Sequence, residues 1–184
     1  MGYVKLMFRG LSDIMGMESQ LFLIVLVDED MKRQLVVTCD QNMRNQLKMR
    51  MDDRKAGEHL LPEVLTRVLG DDQCLSWEVR IESMQEGKYV TKLYNTLSGV
   101  ALDIRCSDAV LWAFVSNCPI LVREEVLATF GVPFFPDATQ IALPVNVITD
   151  DMLEFGIQKA IDTEDYEVAS KLRDELKRRH AKKD

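Results

Sequence analysis

Apolar residues recur along this chain at two spacings, and the switches between them mark its elements. Leu21-Phe22-Leu23-Ile24-Val25-Leu26-Val27 is an unbroken apolar run, the signature of a strand buried on both faces, here spanning about 19–28. The polar turn Asp28-Glu29-Asp30-Met31-Lys32 and the returning run 34–39 make it a hairpin. A short apolar strand at 4–8 precedes it. Met43, Leu47 and Met51 then repeat every four residues, which predicts a helix over 40–51. Leu61, Val64, Leu65 and Val68 share one face of a second helix over 60–69, closed by Gly70. Alternation returns with Trp77, Val79 and Ile81 in a strand over 76–84. Gln85-Glu86-Gly87 turns it into a strand over 88–95, and a third follows at 100–105. A helix over 107–116, a brief strand at 120–122 and a helix over 124–130 ended by Gly131 complete this part. The class is α+β, with a mixed, mostly antiparallel sheet flanked by helices.

The pattern changes after residue 132. Pro133, Pro136 and Pro144 interrupt residues 133–148, which read as a linker. Thr149 can cap a helix running to Thr163, and Asp165 a second to about Arg179. Met152, Phe155, Ile157, Ala160 and Ile161 supply the apolar face of the first, and Val168, Ala169, Leu172 and Leu176 that of the second. The expected organisation is a core domain at 1–132, a linker at 133–148 and a C-terminal helical hairpin at 149–184. Residues 149–167 carry seven acids against one lysine, and residues 168–184 seven Lys/Arg against three acids. The two arms are therefore complementary in charge, which biases pairing and register more than stability.

Composition narrows the class. The chain is 47% hydrophobic and 29% charged, as in globular proteins. Its longest apolar run falls far short of the ~20 residues a membrane span needs, and no secretory leader pattern opens it. The expectation is a cytoplasmic protein without a membrane. Cys39, Cys74, Cys106 and Cys118 contain no C-x-x-C pair, a poor pattern for zinc and one expected of reduced thiols. A net charge of −7 argues against tight nonspecific nucleic-acid binding and leaves transient contact at a local site.

The densest chemistry is Asp103-Ile104-Arg105-Cys106-Ser107-Asp108-Ala109, where a strand becomes a helix. Such a start exposes backbone N–H groups and favours anions. Arg105 is suited to hold a phosphate, or to brace the junction through Asp103, Asp108 or Glu124. Ser107 is suited to cap the helix, with phosphate binding as a second role. Asp108 suits the helix dipole, and with Asp103 and Glu124 it could hold Mg²⁺ or Mn²⁺ for phosphodiester hydrolysis. His59 is either a general base or an ordinary polar residue before a helix. No histidine is adjacent in sequence to make a nucleophile of Cys106 or Ser107.

Arg105-Cys106-Ser107-Asp108-Ala109, with Cys118-Pro119-Ile120 and Glu124-Glu125-Val126-Leu127, resembles the bifunctional nuclease domain family, whose pattern is R-P-S-D-A, then A-P-I and E-E-V-L. The likeness extends more weakly over about 4–132. It implies a compact α+β domain, often dimeric, that cleaves DNA and RNA. On the residues themselves, Asp108, Arg105 and His59 are the candidate catalytic residues, with Arg105 and Ser107 the candidates for the substrate. Cys106 stands where the family has proline, and Glu58-His59 where it has His-Asp. The run from Ala160 to Leu176, with Glu164-Asp165-Tyr166 and Leu172-Arg173-Asp174-Glu175, resembles a UVR domain. That likeness implies protein contacts through Tyr166, Leu172, Arg173 and Asp174. Two functions follow: a nuclease tethered to partners by the hairpin, or a non-catalytic dimeric adaptor.

Overall fold

The computed structural model describes residues 2–13, 21–70, 74, 76–136, 150–162 and 164–181. Eight strands form one sheet: β1 (Tyr3–Asp13), β2 (Leu21–Asp28), β3 (Arg33–Asp40), β4 (Trp77–Gln85), β5 (Lys88–Asn95), β6 (Ala101–Ile104), β7 (Ile120–Arg123) and β8 (Val132–Pro133). Among the described residues, six α-helices accompany them: α1 (Gln41–Asp52), α2 (Leu61–Leu69), α3 (Cys106–Ser116), α4 (Glu124–Phe130), α5 (Asp150–Asp162) and α6 (Tyr166–His180). The α+β class with a mixed sheet is what the sequence pattern predicts.

Strand order is β6-β5-β4-β7-β1-β2-β3-β8. Pairing is antiparallel except between β4 and β7, where Val79, Arg80 and Ile81 run parallel with Ile120, Leu121 and Val122. A crossover through α3 joins β6 to β7, as parallel pairing within a sheet requires a crossover somewhere. The β4–β5 turn places Glu86 at φ 51° and Gly87 at φ 73°, the mirror-image turn that matches strand twist.

Helix α3 explains the shape of the sheet. Ala109 and Val110 are fully buried, and Cys106, Leu111, Trp112 and Ala113 nearly so. A helix that is apolar all round must be enclosed. It touches β3, β4 and β5 as well as α1 and α2, although β3 lies four strands from β4 in the sheet. The sheet therefore curls around it. Val79 and Ile81 of β4 face that core at 0% exposure. On the other face Glu82 accepts from the Tyr3 hydroxyl at 2.7 Å and from Arg123 at 2.5 Å, lacing β1, β4 and β7 together.

Three expectations are revised. Strand β1 is longer than its apolar start, because pairing with β2 carries it through Asp13. The core sheet continues past residue 132: Val132 and Pro133 pair with Gln34 and Arg33 as an edge strand, where a proline without an N–H is tolerated. The apolar stripe of α2 is not buried, with Leu61 and Val68 each 76% exposed. Residues 137–149, including Pro144 and Thr149, lie outside the described residues.

Helix α2 is instead held through its polar side. Arg50 of α1 is 1% exposed and forks onto Glu63, with Nε–Oε1 at 2.5 Å and Nη2–Oε2 at 2.8 Å. Its other donors go to the Gln46 backbone and side-chain oxygens. Gly57 permits the approach, since a Cβ there would collide with Glu63 and press on Arg50. Helices α5 and α6 pack on one another through Leu153, Ile157, Leu172 and Leu176. Asp165 caps α6 by accepting from the Val168 N–H at 3.2 Å.

Removing one partner of a buried ion pair strands the other charge, at a cost of roughly 3–5 kcal/mol. Arg50→Ala should lower unfolding free energy by about that amount in urea titration. Adding Glu63→Gln should recover part of the loss; a change below about 1 kcal/mol in the single variant would contradict this account.

Candidate functional site

A cavity of about 670 Å³ opens where α3 begins. Three segments form it: the end of β3 (Val37 to Asp40), the start of β5 (Lys88 to Thr91, after Gly87), and the β6–α3 junction (Asp103 to Ser107). The curl of the sheet around α3 brings these distant segments together. Two helix starts converge here. Asp40 caps α1, accepting from the Met43 N–H at 2.8 Å. The residue capping α3 is Arg105, whose side chain makes no capping bond.

Ser107 is thus not the cap expected from sequence. It sits inside the first turn and lines the cavity. Cys106 is the first helical residue, a position where proline is favoured because its missing N–H has no helical partner. Cysteine in that place keeps the helix start and adds one N–H to the uncapped end. Partial positive charge at such an end favours an anion.

The Arg105 side chain is 73% exposed and forks onto Asp108, with Nε–Oδ2 at 2.5 Å and Nη2–Oδ1 at 3.1 Å. Asp108 is therefore one residue pair with Arg105, as the bracing alternative anticipates, and it holds a guanidinium that borders the cavity. Asp103 lines the cavity, is 83% exposed and pairs with Lys92 at 3.3 Å. Glu124 starts α4, where its N–H donates to the Gly2 carbonyl at 3.1 Å, away from the cavity lining. His59 is exposed in the turn before α2 and does not line the cavity either.

The expected metal trio of Asp103, Asp108 and Glu124 is not assembled. Among the described residues, no three His, Cys, Asp or Glu side chains stand together as a metal site would require. The donor set does not fit an all-protein cage for Mg²⁺ or Mn²⁺.

Lys88 and Asp40 are the charged cavity residues that sequence reasoning missed. Each was visible as part of a turn or a helix start, but their convergence depends on the sheet's curl. Tyr89 and Cys106 form the inner wall together, both buried. The Tyr89 hydroxyl has no hydrogen-bond partner among the described residues, and burial raises its pKa, with the Cys106 thiol adding to the effect. Burial also pushes the Cys39 and Cys106 thiols up to about 12 and Cys118 to about 11. Cys106 is hydrogen-bonded to the Thr91 side chain. Neutral thiols of this kind are poor nucleophiles.

Of the expected partner residues, Tyr166 is 65% exposed, and Arg173 and Asp174 are exposed on α6. Leu172 is a correction. It is 8% exposed and packs against Leu153 inside the helix pair.

A curled mixed sheet enclosing an apolar helix, with a charged cavity at the helix start, is the frame on which the family comparison falls. The bifunctional nuclease domain model matches residues 24–134, taking in every segment of the cavity, and the chain belongs to that family. Membership is consistent with a nuclease-like function, and α5 and α6 lie beyond the matched residues. A search of curated proteins gives no match. No helix among the described residues is long and apolar enough to cross a membrane.

The raised thiol values set a pH dependence. Below the ordinary thiol value of 9.0, folded and unfolded chains both hold these protons and the buried thiols leave stability unchanged with pH. Above it the unfolded chain releases them and the folded chain does not, so stability falls as pH rises towards about 12. The urea midpoint should be flat from about pH 7 to 8.5 and drop by about pH 10.5. Alkylation of Cys39 or Cys106 in the native protein at about pH 8, as fast as in denaturant, would contradict the assignment.

Proposed function

We propose that this protein cleaves phosphodiester bonds of DNA and RNA with little sequence preference, at the cavity where α3 begins. The observation that carries the reading is the convergence of Arg105, Lys88 and the uncapped α3 start on one cavity within the family's matched region. Arg105 and Lys88 hold the phosphate and offset the charge that builds on its oxygens. Asp108 positions the Arg105 guanidinium. Asp103, with one oxygen on Lys92 and most of its surface open, accepts a proton from the attacking water. The water oxygen bonds to phosphorus, the phosphorus bond to the leaving oxygen breaks, and that oxygen takes up a proton from solvent. His59 and Glu124 have no step here, since neither lines the cavity.

The helix pair α5–α6 serves, in this reading, as a UVR-like tether. Exposed Tyr166, Arg173 and Asp174 face a protein partner, and the acidic and basic arms bias its orientation. The exposed stripe of Leu61, Leu65 and Val68 on α2 is the surface for a second copy. An adaptor without catalysis would use the same two surfaces and leave the cavity idle.

Cleavage of single-stranded DNA and RNA by the purified full chain, with and without Mg²⁺ or Mn²⁺, separates the two. Arg105→Gln should lower the rate by roughly 100-fold and Lys88→Met by roughly tenfold. Tyr166→Ala with Arg173→Glu should leave cleavage of free oligonucleotides unchanged while weakening the partner complex, and Leu65→Lys should sediment as a monomer. Undiminished cleavage by Arg105→Gln and Asp103→Asn together would sink the catalytic assignment.

A further inference from the structure

Helix α1 starts at the cavity, since Asp40 both lines the cavity and caps the helix. From Gln41 to Met51 it carries no acid, in a chain whose net charge is −7. Met43, Leu47 and Arg50 form its buried side. Gln41, Arg44, Asn45 and Lys48 follow at i, i+3, i+4 and i+7, which puts them on one outer face. Arg44 is half-buried and the other three are exposed. Resting on the nuclease reading, we propose that this face is the track of the substrate strand beyond the cavity. The phosphate next to the one held at Arg105 and Lys88 seats on Arg44, and the following one on Lys48.

Two cations in a row, one turn or about 5.4 Å apart along the axis, suit the backbone of a single strand. Arg44 is held in place by the Phe22 ring, with its guanidinium 4.4 Å from the ring centroid. Its charge also reaches the cavity wall: burial raises the Cys39 thiol value, Asp40 adds to the rise, and Arg44 opposes both. Lys48 has no ion pair among the described residues, whereas Lys5, Lys32 and Arg123 each meet a carboxylate. An uncompensated lysine keeps its full charge for a phosphate. The track is short, because Asp52 and Asp53 follow Met51 and repel a polyanion. A short oligonucleotide such as a dinucleotide therefore fills the cavity alone, and only a longer strand reaches Arg44 and Lys48.

Anisotropy titrations of the full chain with a labelled dinucleotide and a labelled single strand of about ten nucleotides, over roughly 50–200 mM salt, test the track. The longer strand should bind more tightly, with an affinity that falls more steeply as salt rises. Each phosphate contact on a single strand contributes about 0.7 to that log–log slope. Arg44→Gln with Lys48→Gln should make the slope shallower by about 1.4 and remove most of the longer strand's advantage. Lys48→Gln alone should give about half of that change, and at this exposed position it leaves the helix packing untouched. Lys32→Gln, at the far end of β3, is the charge control and should bind as the parent does. Equal affinity for the two ligands, an unchanged slope in both Lys48 variants, or the same loss in Lys32→Gln overturns the track. Strand cleavage by the parent accompanied by that result leaves the nuclease reading standing. Binding that depends on Arg44 and Lys48 without any cleavage keeps the track and removes the nuclease reading.

Discussion

Helix α3 has almost no polar face between Cys106 and Ser116, so it can exist in water only where other elements cover it on every side. Burying Val110, Leu111 and Trp112 stabilises the fold by about 1.5–3 kcal/mol each. That requirement bends the sheet, and the bend brings the ends of β3 and β6 to opposite sides of one opening. The helix then delivers its own first turn to that opening. Position and chemistry come from the same constraint: the segment most in need of cover is also the one whose uncapped start faces the cavity.

Local rules are kept elsewhere and relaxed at this site. Helix α1 has its Asp40 cap and the β4–β5 turn has its left-handed pair, whereas α3 starts on an arginine with no capping bond. Among the described residues, two buried donors, the Tyr89 hydroxyl and Trp112 Nε1, are unpartnered beside or along α3. Departures of this kind concentrate where a protein binds something.

The order of elements was legible in the sequence because it rests on spacing. Trp77, Val79 and Ile81 alternate and do form a strand, and Met43 and Leu47 lie on the buried side of α1 as their spacing predicts. Spacing reports which residues share a face, not what the face meets. The stripe of α2 is regular in sequence and exposed in the fold, because Arg50 and Glu63 dock the helix by its other side. The site divides in the same way. Arg105, Ser107 and Asp103 border the cavity, being local to one junction, while His59 and Glu124 do not. Lys88 and Asp40 join it from segments that no local pattern connects to residue 105. Leu172 serves the helix pair's own core rather than a contact surface, since a leucine on an amphipathic face packs on its nearest neighbour first.

The central claim is that nucleic acid engages the protein at the start of α3 rather than on the outer face of the sheet. Amide chemical-shift mapping of the full chain with a short single-stranded oligonucleotide tests it most directly. The account predicts saturable shifts confined to the end of β3, Lys88 to Thr91 and Asp103 to Asp108. Shifts confined to the opposite face, around Tyr3, Glu82 and Arg123, or none at saturating oligonucleotide, would contradict it.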